Sequence, residues 1–172
     1  RECIEKLTQL FMERPIYLKT VLLCITSFSS STLKDSLPYV AYYFTTGPDY
    51  MKDIRLVQLG DGRIGVFSRP RNEAIRAQFG AESQIGFTVI PDLEHLTADV
   101  IENAPYIPGL FADGEWGGCN QAYLLESGKI GVIGHKCWNE PADHGVRISV
   151  YLNIAFVFDP IAHVAEDVRI IG

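Results

Sequence analysis

The chain has 172 residues, 47% of them hydrophobic and 21% charged, with 15 Lys plus Arg against 21 Asp plus Glu and a net charge of −6. That length holds a sizeable core, and the composition is that of a globular chain rather than a disordered one. An acidic balance argues against a general nucleic-acid binder, which needs a basic surface to displace counterions from phosphates.

In chain order, residues 1–14 read as a helix, with Ile4, Leu7, Leu10 and Phe11 on one face and Pro15 ending it. Tyr17 to Phe28 is an apolar, extended stretch interrupted by Lys19. It is too short and too polar to span a bilayer. It also lacks the three-part layout of a signal peptide, so no membrane partner is expected and the cytoplasm is the default compartment. Ser29 to Thr32 reads as a loop, and Tyr39 to Thr46 as a strand. Residues 1–38 thus form an irregular N-terminal segment, a helix plus an extended stretch.

From Gly47 the pattern becomes regular. Asp53–Arg69, DIRLVQLGDGRIGVFSR, aligns without a gap on Cys119–His135, CNQAYLLESGKIGVIGH, at an offset of 66 residues from Gly62 to Gly128. Each reads as strand, turn, strand, with Gly62 and Gly128 supplying the positive φ of a tight turn. A third strand follows in each copy, Gln84–Asp92 and Leu152–Pro160. Asp92–Ile107 then reads as a connector, and HVAEDVRII, His163–Ile171, as the start of the same connector.

A strand meander repeated at this length is the pattern of a propeller blade, which buries both faces of its sheet only by stacking on its neighbours. The expectation is an all-β chain with propeller blades over 39–172 and repeat units at about 47–107 and 113–172. A duplicated hairpin inside a β-sandwich is the alternative. Propellers have 4–8 blades, so two copies imply a partial propeller.

The copies share their glycines and valines and differ in their polar residues. A site assembled from several blades would show that contrast. Asp53 and Arg55, two apart on a strand, are expected to leave the same face. The pair is either an acid/base group with its anchor or a carboxylate simply held ionised by arginine. Arg69 and His135 occupy matched positions and suit phosphate or sugar oxygens; as strand-end residues they also read as surface charge. Glu115, Trp116, Gly117, Gly118, Cys119 and Asn120 combine a carboxylate, an aromatic ring, a glycine pair and an amide. That set suits sugar stacking, and Trp116 reads equally well as core. Of the cysteines, Cys3, Cys24, Cys119 and Cys137, the last two approach one another if they lie on neighbouring strands; free buried thiols are the plainer reading. His135 and Cys137 lack further ligands, so no metal site is expected. No nucleotide fingerprint is present.

GPDYMKDIRLVQLGDGRIGVFSRPR, QIGFTVI, EWGGCNQAYLLESGKIGVIGHKC and IAFVFDP together resemble a bacterial family of unknown function predicted as five-bladed β-propellers. That family is similar to the inverting β-mannoside phosphorylases and, more distantly, to arabinanase-like and fructosidase-like propeller glycosidases. The resemblance spans Gly47 to Gly172. It implies a glycoside hydrolase or phosphorylase acting on a β-mannoside-like oligosaccharide. Asp53 would be the general acid, Arg69 and His135 would hold inorganic phosphate as co-substrate, and Glu115 would be a second acid if water is the nucleophile. From the residue pattern itself, Arg55, Trp116 and Asn120 are further candidates for binding substrate or phosphate. No organic cofactor is implied. The rival expectations are a non-catalytic propeller binding sugar or protein through the same funnel, and an inactive truncated member. Residues 1–38 do not match the earlier blades such a family requires.

Overall fold

The computed structural model describes residues 47–48 and 51–171, which belong to one compact unit, Gly47–Gly172. The expected helix at 1–14, the extended stretch, the serine loop and the strand at 39–46 lie outside the described residues. Two antiparallel sheets make up the unit. The first has three strands, β1 (Arg55–Gln58), β2 (Ile64–Ser68) and β3 (Gly86–Ile90), in that spatial order. The second has four, β4 (Trp116–Leu124), β5 (Ile130–Pro141), β6 (Arg147–Asp159) and β7 (Val164–Ile171), also in order. Two short helices interrupt the strands, α1 (Glu73–Phe79) and α2 (Ala98–Glu102). No helix among the described residues is long and apolar enough to cross a membrane.

The two leading hairpins close in the same way. The Gly62 and Gly128 N–H groups donate to Leu59 O and Leu125 O at 3.0 and 2.9 Å, and both glycines have positive φ, 88° and 82°. Asp61 Oδ1 accepts from the Arg63 N–H at 3.0 Å, while Ser127 Oγ accepts from the Lys129 N–H at 3.4 Å. Side chains of this type satisfy a turn's backbone donors locally. Matched positions therefore play matched roles.

The core lies between the sheets. Phe67 faces Phe87 across the β2–β3 ladder with ring centroids 4.8 Å apart, and Phe158 of β6 meets Phe87 at 4.6 Å and Phe67 at 5.6 Å. Tilted and edge-on rings at these separations are the favoured aromatic arrangement. Val57, Ile85, Cys119, Ile130, Val132, Ile154 and Phe156 are among the residues buried with them.

The copies diverge after their second strands. In the first, Asn72 caps α1, its Oδ1 accepting from the Ile75 N–H at 2.9 Å, and Gly80 ends the helix at φ 60°. In the second, β5 runs on to Pro141 and turns directly into β6. His163–Ile171, expected to begin a connector, instead supplies strand β7. The reason is composition: Val164, Val168, Ile170 and Ile171 favour an extended chain, and Lys129 of the neighbouring hairpin pairs with Glu166 at 2.6 Å. The corresponding stretch of the first copy carries the cap residues Asp92 and Thr97 and coils into short helical turns instead.

Candidate functional site

The site lies where the leading edges of the two sheets meet. β1 begins only at Arg55, because Asp53 adopts a left-handed backbone, φ 57°. The expected alternation of Asp53 and Arg55 along one strand face therefore does not hold: a two-residue period requires extended backbone at both positions. Arg55 is held by backbone carbonyls. Its Nε donates to the Asn120 carbonyl and its NH1 to Ile54 O at 2.7 Å. Lys52 is exposed.

Arg69 takes the place expected of Arg55. Its NH1 donates to Asp53 Oδ2 at 2.8 Å, and its Nε donates to Ser83 Oγ at 2.9 Å. Arg69 is only 8% exposed and Ser83 is wholly buried. A guanidinium spread between a carboxylate and a buried hydroxyl is held in both position and plane. Met51 adds a sulfur acceptor for the Arg69 backbone N–H at 3.3 Å.

β4 and β5 supply the opposite wall. His135 lies on β5 rather than at its end, with Nε2 3.9 Å from Asp53 Oδ2 and Nδ1 2.7 Å from Asn120 Oδ1. Burial pushes the imidazole pKa below its ordinary value; the Asp53 charge opposes that shift and the Arg69 charge adds to it. The ladder between β4 and β5 slips between Cys119 and Gln121, and Asn120 is the extra residue of that bulge. Gly118 lies opposite His135 in the ladder. A Cβ there would overlap the Asp53 carboxylate and come within 2.9 Å of His135 Cε1. At Gly117 it would run into the His135 carbonyl and the Phe111 ring. The glycine pair thus serves close approach of backbone to side chain, not flexibility.

The remaining candidates separate from this cluster. Glu115 pairs with Lys136 Nζ at 2.7 Å and its Oε2 accepts from the Ala112 N–H at 2.9 Å. Burial raises its pKa, but Lys136 and the Ala112 amide outweigh burial and hold the carboxyl below its usual range. Trp116, expected as a sugar platform, is 7% exposed and packs with Ala81, Cys137 and Phe79. Its ring is core, because β4 continues past the bulge and carries it inward. Cys119 and Cys137 are free and buried, and burial pushes their thiols up to about 12 and about 11, so neither is a ready thiolate. Among the described residues no three His, Cys, Asp or Glu side chains are grouped to hold a metal ion.

The site therefore joins Asp53, Arg69, His135 and Asn120, with Arg55 bracing the Asn120 backbone, and leaves Glu115 and Trp116 to other contacts. Ser83 was not visible as a site residue, since no local pattern marks a lone serine before Gln84. A carboxylate beside a guanidinium and an imidazole can exchange a proton with a bound oxygen and neutralise an anion.

Residues 13–172 match the family described as "protein of unknown function (DUF1861)". No curated protein matches the chain. Among solved structures, a mannose phosphorylase from Leishmania mexicana, determined with phosphate ion, is similar at 45% identity and a TM-score of 0.67, over 77% of this chain and 39% of that one. A GDP-Man-dependent mannosyltransferase from the same organism is similar at 39% identity and a TM-score of 0.64, over the same shares. A hypothetical protein from Leishmania major is similar at 46% identity and a TM-score of 0.62, over 77% of this chain and 38% of that one. The chain spans about two-fifths of the length of these structures.

Proposed function

Because the chain belongs to the DUF1861 family, whose characterised structural neighbours handle mannose, we propose that it carries acid and anion-binding groups of a glycoside phosphorylase acting on a β-mannoside-like oligosaccharide. Its two sheets would be blades of a five-bladed β-propeller. The observation that carries the reading is the Asp53 carboxylate held at 2.8 Å by the buried Arg69 and faced by His135 from the other sheet. The similarity to a mannose phosphorylase determined with phosphate ion supports phosphate as the nucleophile.

In the proposed reaction Asp53 enters protonated, gives its proton to the glycosidic oxygen as the bond from the anomeric carbon breaks, and is left as the carboxylate that Arg69 holds. A phosphate oxygen bonds to that carbon from the opposite face, and Arg69 offsets the charge of the incoming anion. The products are mannose 1-phosphate and the shortened sugar. Hydrolysis through Glu115 is less well supported, since that carboxylate is committed to Lys136. The likeness to a GDP-Man-dependent mannosyltransferase favours a second reading, transfer of mannose from a nucleotide-activated donor through the same groups.

Incubation of the protein with mannosyl disaccharides, with and without phosphate, tests the first reading. Phosphate-dependent release of mannose 1-phosphate, abolished by Asp53→Asn, is expected. Release of GDP from GDP-mannose, with no phosphorolysis, would select the second. Neither product, or an unaffected Asp53→Asn variant, would remove Asp53 from the chemistry.

A further inference from the structure

We propose that Asn120 is a positioning residue that fixes His135 in the tautomer protonated on Nδ1, so that the imidazole meets the site as a hydrogen-bond acceptor through Nε2. Three observations carry this.

The first is the bond itself. Asn120 Oδ1 lies 2.7 Å from His135 Nδ1. An amide oxygen only accepts, so the proton of that bond belongs to Nδ1. The second is the other nitrogen. Nε2 is 3.9 Å from Asp53 Oδ2, beyond hydrogen-bonding range, so no direct bond to the carboxylate draws a proton to it. Burial holds the imidazole below its ordinary value and so favours the neutral ring, which has a single N–H, already engaged by Asn120. The third is the anchoring of Asn120. Being the bulged residue, it has no partner in the β4–β5 ladder, which frees its side chain to be aimed. Its carbonyl accepts from Arg55 Nε of the other sheet, which holds the peptide that follows it.

The consequence changes the division of labour at the site. A neutral imidazole with a lone pair on Nε2 does not anchor an anion. That task falls to Arg69, whose NH1 already reaches into the cluster. His135 instead accepts from an O–H group placed between Nε2 and Asp53, and so favours a ligand oxygen that carries a proton. The substrate contact rests on the site reading given above; the tautomer does not depend on it.

Long-range 1H–15N correlation spectra of the 15N-labelled chain read the tautomer directly. The chain has four histidines, and the His135→Gln spectrum assigns the relevant signals by their loss. Near neutral pH the wild type is expected to show the Nδ1–H pattern, with Nε2 unprotonated. Asn120→Ala should shift the population toward the Nε2–H form, and Asn120→Asp, which keeps an acceptor, should keep Nδ1 protonated. A wild-type ring protonated on Nε2, or an Asn120→Ala spectrum identical to wild type, overturns the proposal. Should Asn120→Ala fail to fold, the wild-type and Asn120→Asp spectra decide the matter. Absence of phosphorolysis would leave this result standing, so the two ideas fail separately.

Discussion

Gly118→Ala tests whether close packing of the β4 backbone is what orients the Asp53 carboxylate. The added methyl would overlap Oδ2 and lie 2.9 Å from both Asp53 Cγ and His135 Cε1. Ordinary contact with a Cβ begins near 3.4 Å, so each of these carbons must retreat by about half an ångström and the oxygen by more. Neither group yields freely. Asp53 is tied at 2.8 Å to Arg69, which is tied in turn to Ser83, and His135 is tied to Asn120. Overpacking of this kind costs about 1–3 kcal/mol, which urea unfolding reads as a midpoint lowered by about 1 M. A misplacement of about 1 Å at a reacting group lowers turnover by about 10²-fold. Gly128→Ala is the control. Its added methyl meets nothing within 4 Å, so only the positive φ of 82° is strained, at about 1–2 kcal/mol. Stability should fall while turnover stays near wild type. A Gly118→Ala protein within about 0.5 kcal/mol of wild type and with full turnover would refute the argument. So would a Gly128→Ala protein that loses as much activity as Gly118→Ala.

Phe158→Ala removes the ring that joins the two sheets, and should cost about 3–5 kcal/mol in urea unfolding, because Phe67 and Phe87 lose their shared partner. A loss below about 1 kcal/mol would mean that the sheets are held together elsewhere. Glu115→Gln should flatten the acid limb of the stability profile. The folded carboxyl titrates below its ordinary 4.5, so the unfolded chain binds the proton first as pH falls. The contribution of Glu115 is therefore complete above about 4.5 and lost as pH drops through the folded value. Identical acid limbs for variant and wild type, followed by intrinsic fluorescence across a pH series, would show that the Lys136 pair contributes nothing.

The hairpins were legible because their turns obey local rules. Glycine at positive φ and a short polar side chain accepting from the residue two further on are readable in six residues, and both copies carry them. The gathering of Asp53, Arg69 and His135 was legible for a different reason, since matched positions with unmatched side chains point to the place where copies specialise. What failed were inferences that assume regular backbone. Asp53 was paired with Arg55 by strand alternation, and a single left-handed residue cancels that rule. The bond from Asn120 to His135 was not foreseen, because a bulge leaves no mark in an ungapped alignment. Trp116 was ambiguous because a ring at the start of a strand reads equally well as platform or core until the residues packed on it, Ala81, Cys137 and Phe79, are known. Ser83 was missed altogether: it meets Arg69 through a fold-back of 14 residues, a contact no sequence period encodes.

The two copies also explain why a site forms at this edge and not at the other. Within the hairpins their strand registers match residue for residue, and such regions offer only scaffold. They part at the entrance to the first strand. In the second copy the ladder continues through the Asn120 bulge to Trp116, and so presents a bare backbone wall at Gly117 and Gly118. In the first copy the strand stops at Arg55, and the left-handed turn at Asp53 swings a carboxylate across the gap to that wall. Each departure is useful only because of the other. A side chain at position 118 would leave no room for the carboxylate, and an extended Asp53 would direct it elsewhere. Arg69, one residue past β2, and His135, within β5, occupy matched positions, and both reach Asp53 Oδ2, the guanidinium at 2.8 Å and the imidazole at 3.9 Å. The two hairpins provide matched positions, and the departure at Asp53 places a carboxylate between them.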